Sequence, residues 1–347
     1  MTTDARGLYV HVPFCEKKCN YCDFCSYAGL STELREAYIH KLVREIESYG
    51  KEEKIRLDSL FFGGGTPSLL SVAELEKLFS AIRSSFEVSE GAEITLESNP
   101  KTLTKEKLLA YKSLGVNRLS IGLQTIHENE LKKLGRIHTY ADFVESYRLA
   151  RQVGMTNINV DIMYGIPEQT RDSFLKTLEA VISHSPEHIS AYGLIIEEGT
   201  PFFRMVDELD LPDEDCECDM YGLATVLFRN AGYSHYEISN YARDGYRSRH
   251  NLKYWCSCEY IGVGVAACSF FENKRYSNPT TLEKYLATET FGSDNVLPRS
   301  EYDAEFEFAM LVLRLKDGFS LSEYKERFGK DFTAGRERAI ERYIELG

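Results

Sequence analysis

The sequence predicts an α/β protein, an open or partial (βα)6 barrel followed by a smaller, mainly helical C-terminal domain. Three observations predict it. Six short apolar or β-branched runs, beginning at Leu8, Leu57, Ile94, Arg118, Asn157 and His188, alternate with sequence of helical period. That repetition is the pattern of a parallel sheet covered by helices, and six strands are too few for the eight-stranded closed barrel. Chemically active residues then gather at the ends of five runs: cysteines after the first, Gly63 to Pro67 after the second, Glu97-Ser-Asn-Pro after the third, Gln124 ending the fourth and Asp161 on the fifth. In parallel barrels this rim is where sites assemble, because loops vary there while strands hold them in place.

In chain order, the first strand spans Leu8 to Val12 and Pro13 ends it. Beyond it stand Cys15, Cys19, Cys22 and Cys25, the first three at C-x-x-x-C-x-x-C spacing. Ser31 to Tyr49 reads as a helix, with Ser31 or Thr32 as cap and Gly50 as stop. The second strand ends in Gly63-Gly-Gly-Thr-Pro67, and helices are expected over Ser71 to Phe86 and Lys105 to Leu114. From about Pro212 the pattern changes. An acidic loop, Asp213 to Asp219, leads into a helix through Asn230, and His235 to Ala242 reads as one strand. Helices are expected over Ala304 to Leu315, Leu321 to Phe328 and Ala334 to Leu346. The expected division is a core domain over 1–235 and a second domain over 236–347, the latter incomplete because its last helix has nothing further to pack against.

With 347 residues, 43% of them hydrophobic, the chain suffices for one barrel-sized domain and a smaller one. Its 41 Lys and Arg stand against 54 Asp and Glu, a net charge of −13 without any basic run, so neither nucleic acid nor an anionic membrane is an expected partner. No run is long and apolar enough to span a bilayer, and the N-terminal stretch Met-Thr-Thr-Asp-Ala-Arg-Gly lacks a signal segment, which predicts a cytoplasmic protein. Nine cysteines, an odd number unevenly spread, fit a reducing compartment better than a disulfide framework.

Three thiolates so close together want a metal, and soft sulfur selects zinc or an iron-sulfur cluster. A tetrahedral zinc site needs a fourth ligand, which Cys25 alone supplies locally, so both readings stand on spacing alone. The spacing, with the aromatic Tyr21 directly before the last of the three, resembles the cluster loop of the radical S-adenosylmethionine (radical SAM) enzymes. That resemblance implies a 4Fe-4S cluster on Cys15, Cys19 and Cys22, with a fourth iron open to the amino and carboxylate groups of S-adenosylmethionine, and it implies a partial (βα)6 barrel.

Gly64, Gly65 and Thr66 are similar to that family's glycine motif, whose backbone faces the methionine end of the cofactor; glycine permits close approach because it lacks a Cβ. Glu97, Gln124, Arg136 and Asp161 lie where the resemblance puts cofactor contacts. It gives Arg136 the carboxylate, for which a planar charged fork is suited, and the other three the ribose or amino group. Asp161 sits inside the apolar run Ile158 to Met163, so its carboxylate needs partners whatever its role. Tyr9 and Tyr21 are placed near the cluster and adenine, with ordinary core packing as the alternative.

The segments Tyr-Val-His-Val-Pro-Phe-Cys, Phe-Gly-Gly-Gly-Thr-Pro-Ser, Asn-Arg-Leu-Ser-Ile-Gly-Leu-Gln, Leu-Gly-Arg-Ile-His, Asp-Ile-Met-Tyr-Gly-Ile-Pro and Tyr-Glu-Ile-Ser-Asn-Tyr-Ala follow in this order. Together they resemble the oxygen-independent coproporphyrinogen III dehydrogenase superfamily. Within it, His250-Asn251-Leu-Lys-Tyr254-Trp255 resembles the signature of its haem-chaperone branch. The resemblance implies a protein that binds haem and passes it to acceptor proteins, with membrane contact only through those acceptors. The alternative is the dehydrogenase itself, and a third reading is a zinc-stabilised protein without radical chemistry. Two features separate the chain from the dehydrogenase: fourteen residues precede Cys15, where the dehydrogenase has a longer segment, and Phe24 holds the place of its fourth cysteine, leaving Cys25 one step late.

His250 is a candidate haem ligand, since imidazole suits iron and Tyr254 and Trp255 can pack on a porphyrin face. Its alternative is a hydrogen-bonded structural histidine. Ala267-Cys268-Ser269 departs from the Ala-His-Ser usual in the family. The pairs Cys216 with Cys218 and Cys256 with Cys258 read as loop thiols, with a second metal site as the alternative.

Overall fold

The computed structural model describes residues 5–50, 54–291, 296–298 and 301–346. Residues 1–4, which open the polar N-terminal stretch, and Gly347 lie outside them. The six expected strands are present as β1 (Arg6–Val12), β2 (Arg56–Gly64), β3 (Glu87–Ser98), β4 (Arg118–Gln124), β5 (Ile158–Tyr164) and β6 (His188–Gly193). Each pairs in parallel with the next, in sequence order. The helices α1 (Thr32–Ser48), α2 (Val72–Ser85), α3 (Lys105–Leu114), α4 (Tyr140–Gln152), α5 (Arg171–His184) and α6 (Glu214–Asn230) follow them.

Local chemistry sets the helix starts. Ser31 caps α1 by accepting from Leu34 N–H, and Ser71 with Glu74 and Thr139 with Asp142 form reciprocal capping boxes on α2 and α4. The acidic stretch expected as a loop over 213–219 is instead the first turns of α6, capped by Asp213. Carboxylates there complement the positive end of the helix dipole, so Cys216 and Cys218 are helical.

Alternation along the strands sorts the chemistry. Leu8, Val10, Leu60, Phe62, Leu96, Leu119, Ile121, Val160 and Ile189 join the fully buried core beneath the helices. Their neighbours Tyr9, His11, Phe61, Glu97, Arg118, Ser120, Asn159, Asp161 and Ser190 line the concave lumen. Side chains of a strand alternate between its faces, so one set of six strands supplies both an apolar shell and a polar interior.

Residues beyond 230 extend this sheet at both edges. The single strand expected over 235–242 is a hairpin, β7 (Ser234–Glu237) and β8 (Asn240–Ala242), turned where Ser239 N–H donates to Glu237 Oε1 at 3.1 Å. Strand β8 pairs antiparallel with β6. The helix α7 (Arg249–Trp255) follows, and then β9 (Tyr260–Val263), which lies parallel to β1. With β10 (Cys268–Phe271), β11 (Lys274–Ser277) and β12 (Leu297–Pro298), the sheet has the order β12-β11-β10-β9-β1-β2-β3-β4-β5-β6-β8-β7.

The helical C-terminal region comprises α8 (Glu301–Val312), α9 (Leu321–Phe328) and α10 (Glu337–Leu346). Phe308, Val312 and Tyr324 form a small core of its own, with Phe319, Phe328 and Phe332 packed against it. Among the described residues, no helix is long and apolar enough to cross a membrane.

Candidate functional site

The loop after β1 is held by backbone, which leaves its thiols available. Phe14–Cys15 pairs with Tyr27–Ala28, Gly65 N–H donates to Val12 O at 2.8 Å, and Thr66 N–H donates to Phe14 O at 2.7 Å. Asn20 ties the far side, donating from its backbone to Leu134 O at 3.0 Å and from Nδ2 to Lys133 O at 2.8 Å. A Cβ at Gly65 would stand 2.7 Å from Phe14 O, and one at Gly64, where φ is +108°, 2.5 Å from the His11 ring. The glycines are therefore required first by the approach of two protein segments.

Cys15, Cys19 and Cys22 line one cavity of about 430 Å³ at the mouth of the barrel, together with Tyr21, Gly64, Gly65, Thr66, Glu97, Gln124, Arg136 and Asp161. All three thiols are half-buried and free of disulfides. Burial raises the Cys15 thiol above its ordinary pKa and pushes Cys22 up to about 11. Such thiols become thiolates when a cationic centre compensates them. Among the described residues, no three His, Cys, Asp or Glu side chains are gathered closely enough to hold a single ion. A zinc ion needs its donors around one centre, whereas a cluster offers each thiolate a different iron. The donor set thus fits an iron-sulfur cluster.

Arg136 stands over this group. Its Nη2 donates to Asn99 Oδ1 at 2.6 Å and Gly122 O at 2.7 Å, and its Nη1 approaches Cys19 Sγ at 3.6 Å. Its buried Nε has no hydrogen-bond partner, which suits a guanidinium waiting for an acceptor. Gly122 leaves room for it, since a Cβ there would stand 2.8 Å from Arg136 Nη2. Gln124 closes the strand with φ at +72°, a left-handed conformation rare for a side chain of its size, directly beside the cavity.

Two carboxyls face the same space. Asp161 accepts from the Ser120 hydroxyl at 2.8 Å and from Asn159 Nδ2 at 2.8 Å, and burial still raises its pKa. Glu97 accepts from Gly64 N–H at 3.3 Å, and burial, with Asp161 nearby, pushes its pKa up to about 8. Tyr21 packs against the small cluster of Leu134, Met163, Ile166 and Phe202.

Two expected residues lie elsewhere. Tyr9 lines a second cavity of about 710 Å³, deeper in the lumen, that shares Gly64, Glu97, Asp161 and Tyr192 with the first. Its hydroxyl meets His11 Nδ1 at 3.0 Å, and His11 Nε2 meets Cys25 O at 2.8 Å. His250 is fully buried: Nδ1 bonds Ser59 Oγ at 3.0 Å, Nε2 bonds Tyr254 OH at 2.8 Å, and the ring stacks on Phe61. Both nitrogens are engaged, which is the bonding of a structural histidine rather than the arrangement expected of a haem ligand. Cys25 does not line the cavity of Cys15, Cys19 and Cys22, and its thiol donates to Thr280 O at 3.4 Å.

Sequence reasoning placed Asn99 on the rim only as part of Glu97-Ser-Asn-Pro, without its hold on Arg136, and missed the pair Ser120 and Asn159, which hold Asp161. A signal existed in the period-two recurrence of polar residues, Arg118-x-Ser120 and Asn159-x-Asp161, inside otherwise apolar strands.

Comparisons with known proteins bear on the family and the fold. The Radical SAM superfamily matches residues 9–181, and the HemN C-terminal domain matches residues 300–347. The haem chaperone HemW of Haemophilus influenzae is 34% identical over 98% of this chain and 89% of its own length. That of Bacillus subtilis is 35% identical over 94% of this chain and 87% of its own. Among solved structures, the radical SAM enzyme coproporphyrinogen III oxidase (HemN) from Escherichia coli superposes with a TM-score of 0.85, covering 99% of this chain and 83% of that one, at 22% identity. That likeness is one of fold.

Proposed function

The chain belongs to the HemW family, with a radical SAM domain over residues 9–181, and from that premise we propose that it is a haem chaperone that binds haem and passes it to acceptor proteins. Cys15, Cys19 and Cys22 hold a 4Fe-4S cluster in this reading. When bound, the cluster supplies an open iron to which S-adenosylmethionine attaches through its amino and carboxylate groups. Arg136 receives that carboxylate at its unpartnered Nε, while Asn99 and Gly122 O hold the neighbouring Nη2 in place. Asp161, held by Ser120 and Asn159, presents its remaining lone pairs to the amino group or ribose, and Glu97 and Gln124 complete the wall. The protein acts in the cytoplasm and meets membranes only through its acceptors.

The observation that carries this reading is the identity of 34–35% with HemW chaperones over 94–98% of the chain. The likeness to the coproporphyrinogen III oxidase, at 22% identity, supports the barrel and not its reaction. The test is anaerobic reconstitution, iron and sulfide analysis, haem titration, and transfer of bound haem to an apo-haem protein. Saturable haem binding followed by transfer, without decarboxylation of coproporphyrinogen III, is the expected result. Multiple-turnover decarboxylation, or no haem binding, overturns the reading.

A further inference from the structure

The second cavity has a composition that points to its own ligand. Its walls are aromatic, with Tyr9, Phe61, Tyr254, Trp255 and Tyr260 facing a space of about 710 Å³, within the range of small-molecule sites. At its floor lies Arg118, which is 2% exposed. The Nε of Arg118 finds no hydrogen-bond partner.

A buried guanidinium without an acceptor is costly, and cations this deep are ordinarily paired. Among the described residues Arg118 makes no direct ion pair, although it acts through space on the Asp161 and Glu97 carboxyls. Glu93 accepts from the backbone N–H groups of Arg249 and His250, each at 3.0 Å. Asp161 accepts from Ser120 at Oδ2 and from Asn159 at Oδ1, which orients its carboxyl towards the lumen and leaves lone pairs on both oxygens. Glu97 accepts from Gly64 N–H, and burial, with Asp161 nearby, pushes its carboxyl pKa up to about 8 although Arg118 acts to lower it. Arg118 is thus a buried cation balanced only through space by Asp161 and Glu97, with its Nε left without an acceptor.

We propose that the lumen cavity is the haem site, with the flat macrocycle against the aromatic wall and one propionate received by Arg118. This rests on the haem-chaperone reading and adds to it a place and a binding group. An arginine fork matches a carboxylate in two parallel hydrogen bonds, and aromatic side chains supply apolar area for a planar ring. The cluster cavity adjoins through Glu97, Asp161 and Tyr192, so the two ligands lie side by side without sharing Arg118.

The experiment titrates cluster-reconstituted protein with haem and with haem dimethyl ester, whose propionates are blocked. Wild-type protein is expected to bind the ester roughly tenfold to a hundredfold more weakly, the loss of one charge-assisted pair. Arg118→Met is expected to weaken haem to that level and to leave the ester unchanged. Cys268→Trp, at an exposed position on the cavity wall, is expected to block both ligands without disturbing the core. Equal affinity of wild-type protein for haem and ester, or unchanged haem binding by Cys268→Trp, overturns the assignment while the chaperone reading stands; these two arms decide the matter even if Arg118→Met fails to fold. Absence of haem binding by wild-type protein overturns both.

Discussion

Arg136 Nη1 stands 3.6 Å from Cys19 Sγ, so the side chain proposed to receive the cofactor's carboxylate also touches a thiol proposed to hold the cluster. The loop bearing Arg136 and the loop bearing the cysteines are joined again by Asn20, through Leu134 O and Lys133 O. The proposed cluster and cofactor sites are therefore built on one mechanical unit.

Arg136→Ala should weaken S-adenosylmethionine binding by about 1.5–3 kcal/mol, roughly tenfold to a hundredfold. Arg136→Lys should restore little of it, because an ammonium cannot reproduce the planar fork that serves Asn99, Gly122 O and a ligand together. Anaerobic calorimetry on reconstituted protein measures both, and unchanged affinity in the alanine variant would place the carboxylate elsewhere.

Alanine at Cys15, Cys19 or Cys22 should each abolish stoichiometric iron and sulfide, since a three-thiolate clamp has no spare ligand. Cys25→Ala should retain both. Its thiol bonds Thr280 O and the Tyr27 hydroxyl, and the residue does not line the cavity of Cys15, Cys19 and Cys22. Stoichiometric zinc without sulfide in anaerobically prepared protein would contradict the cluster assignment.

Glu97 predicts a pH dependence of stability. Its folded pKa of about 8 lies above the ordinary carboxyl value near 4.3, so between these limits the folded state holds a proton that the unfolded state has released. Its contribution is complete below about pH 4, falls as pH rises towards 8, and levels off above. Thermal melts of the apo-protein should show Glu97→Gln gaining on wild type across that window and holding its lead at pH 9. A constant difference from pH 5 to pH 9 would mean that Glu97 titrates as an exposed carboxyl.

His250→Ala should act on the fold before it acts on haem. It strips partners from Ser59, which is fully buried, and from the Tyr254 hydroxyl, at about 1–3 kcal/mol for each group left unsatisfied. Urea denaturation should show that loss, while the haem absorption maximum of the folded variant stays where it is in wild type. A shifted maximum would show that His250 reaches the iron.

Much of this was legible in the sequence because it is local. The six βα units, the helix caps at Ser31, Ser71 and Thr139, the spacing of Cys15, Cys19 and Cys22 and the glycine turn after β2 are all written within a few residues of where they act. Local periodicity distinguishes a strand from a helix and a cap from a core position. It also places cysteines, glycines and carboxylates on one rim, because parallel strands all end at the same side.

The tertiary structure decided what depends on distant partners. The sequence left His250 open between a haem ligand and a hydrogen-bonded structural histidine, and only its contact with Ser59, 191 residues away, shows both nitrogens engaged. The place of β9 beside β1 was invisible for the same reason, as was the use of Glu93 to hold the start of α7, 156 residues on. Arg118 carried no sign of being a buried cation facing a cavity, since that depends on which strand face is the lumen and on which side chains pack around it. A residue's neighbours along the chain fix its backbone, but its charge balance and hydrogen bonds are set by side chains that folding alone brings within reach.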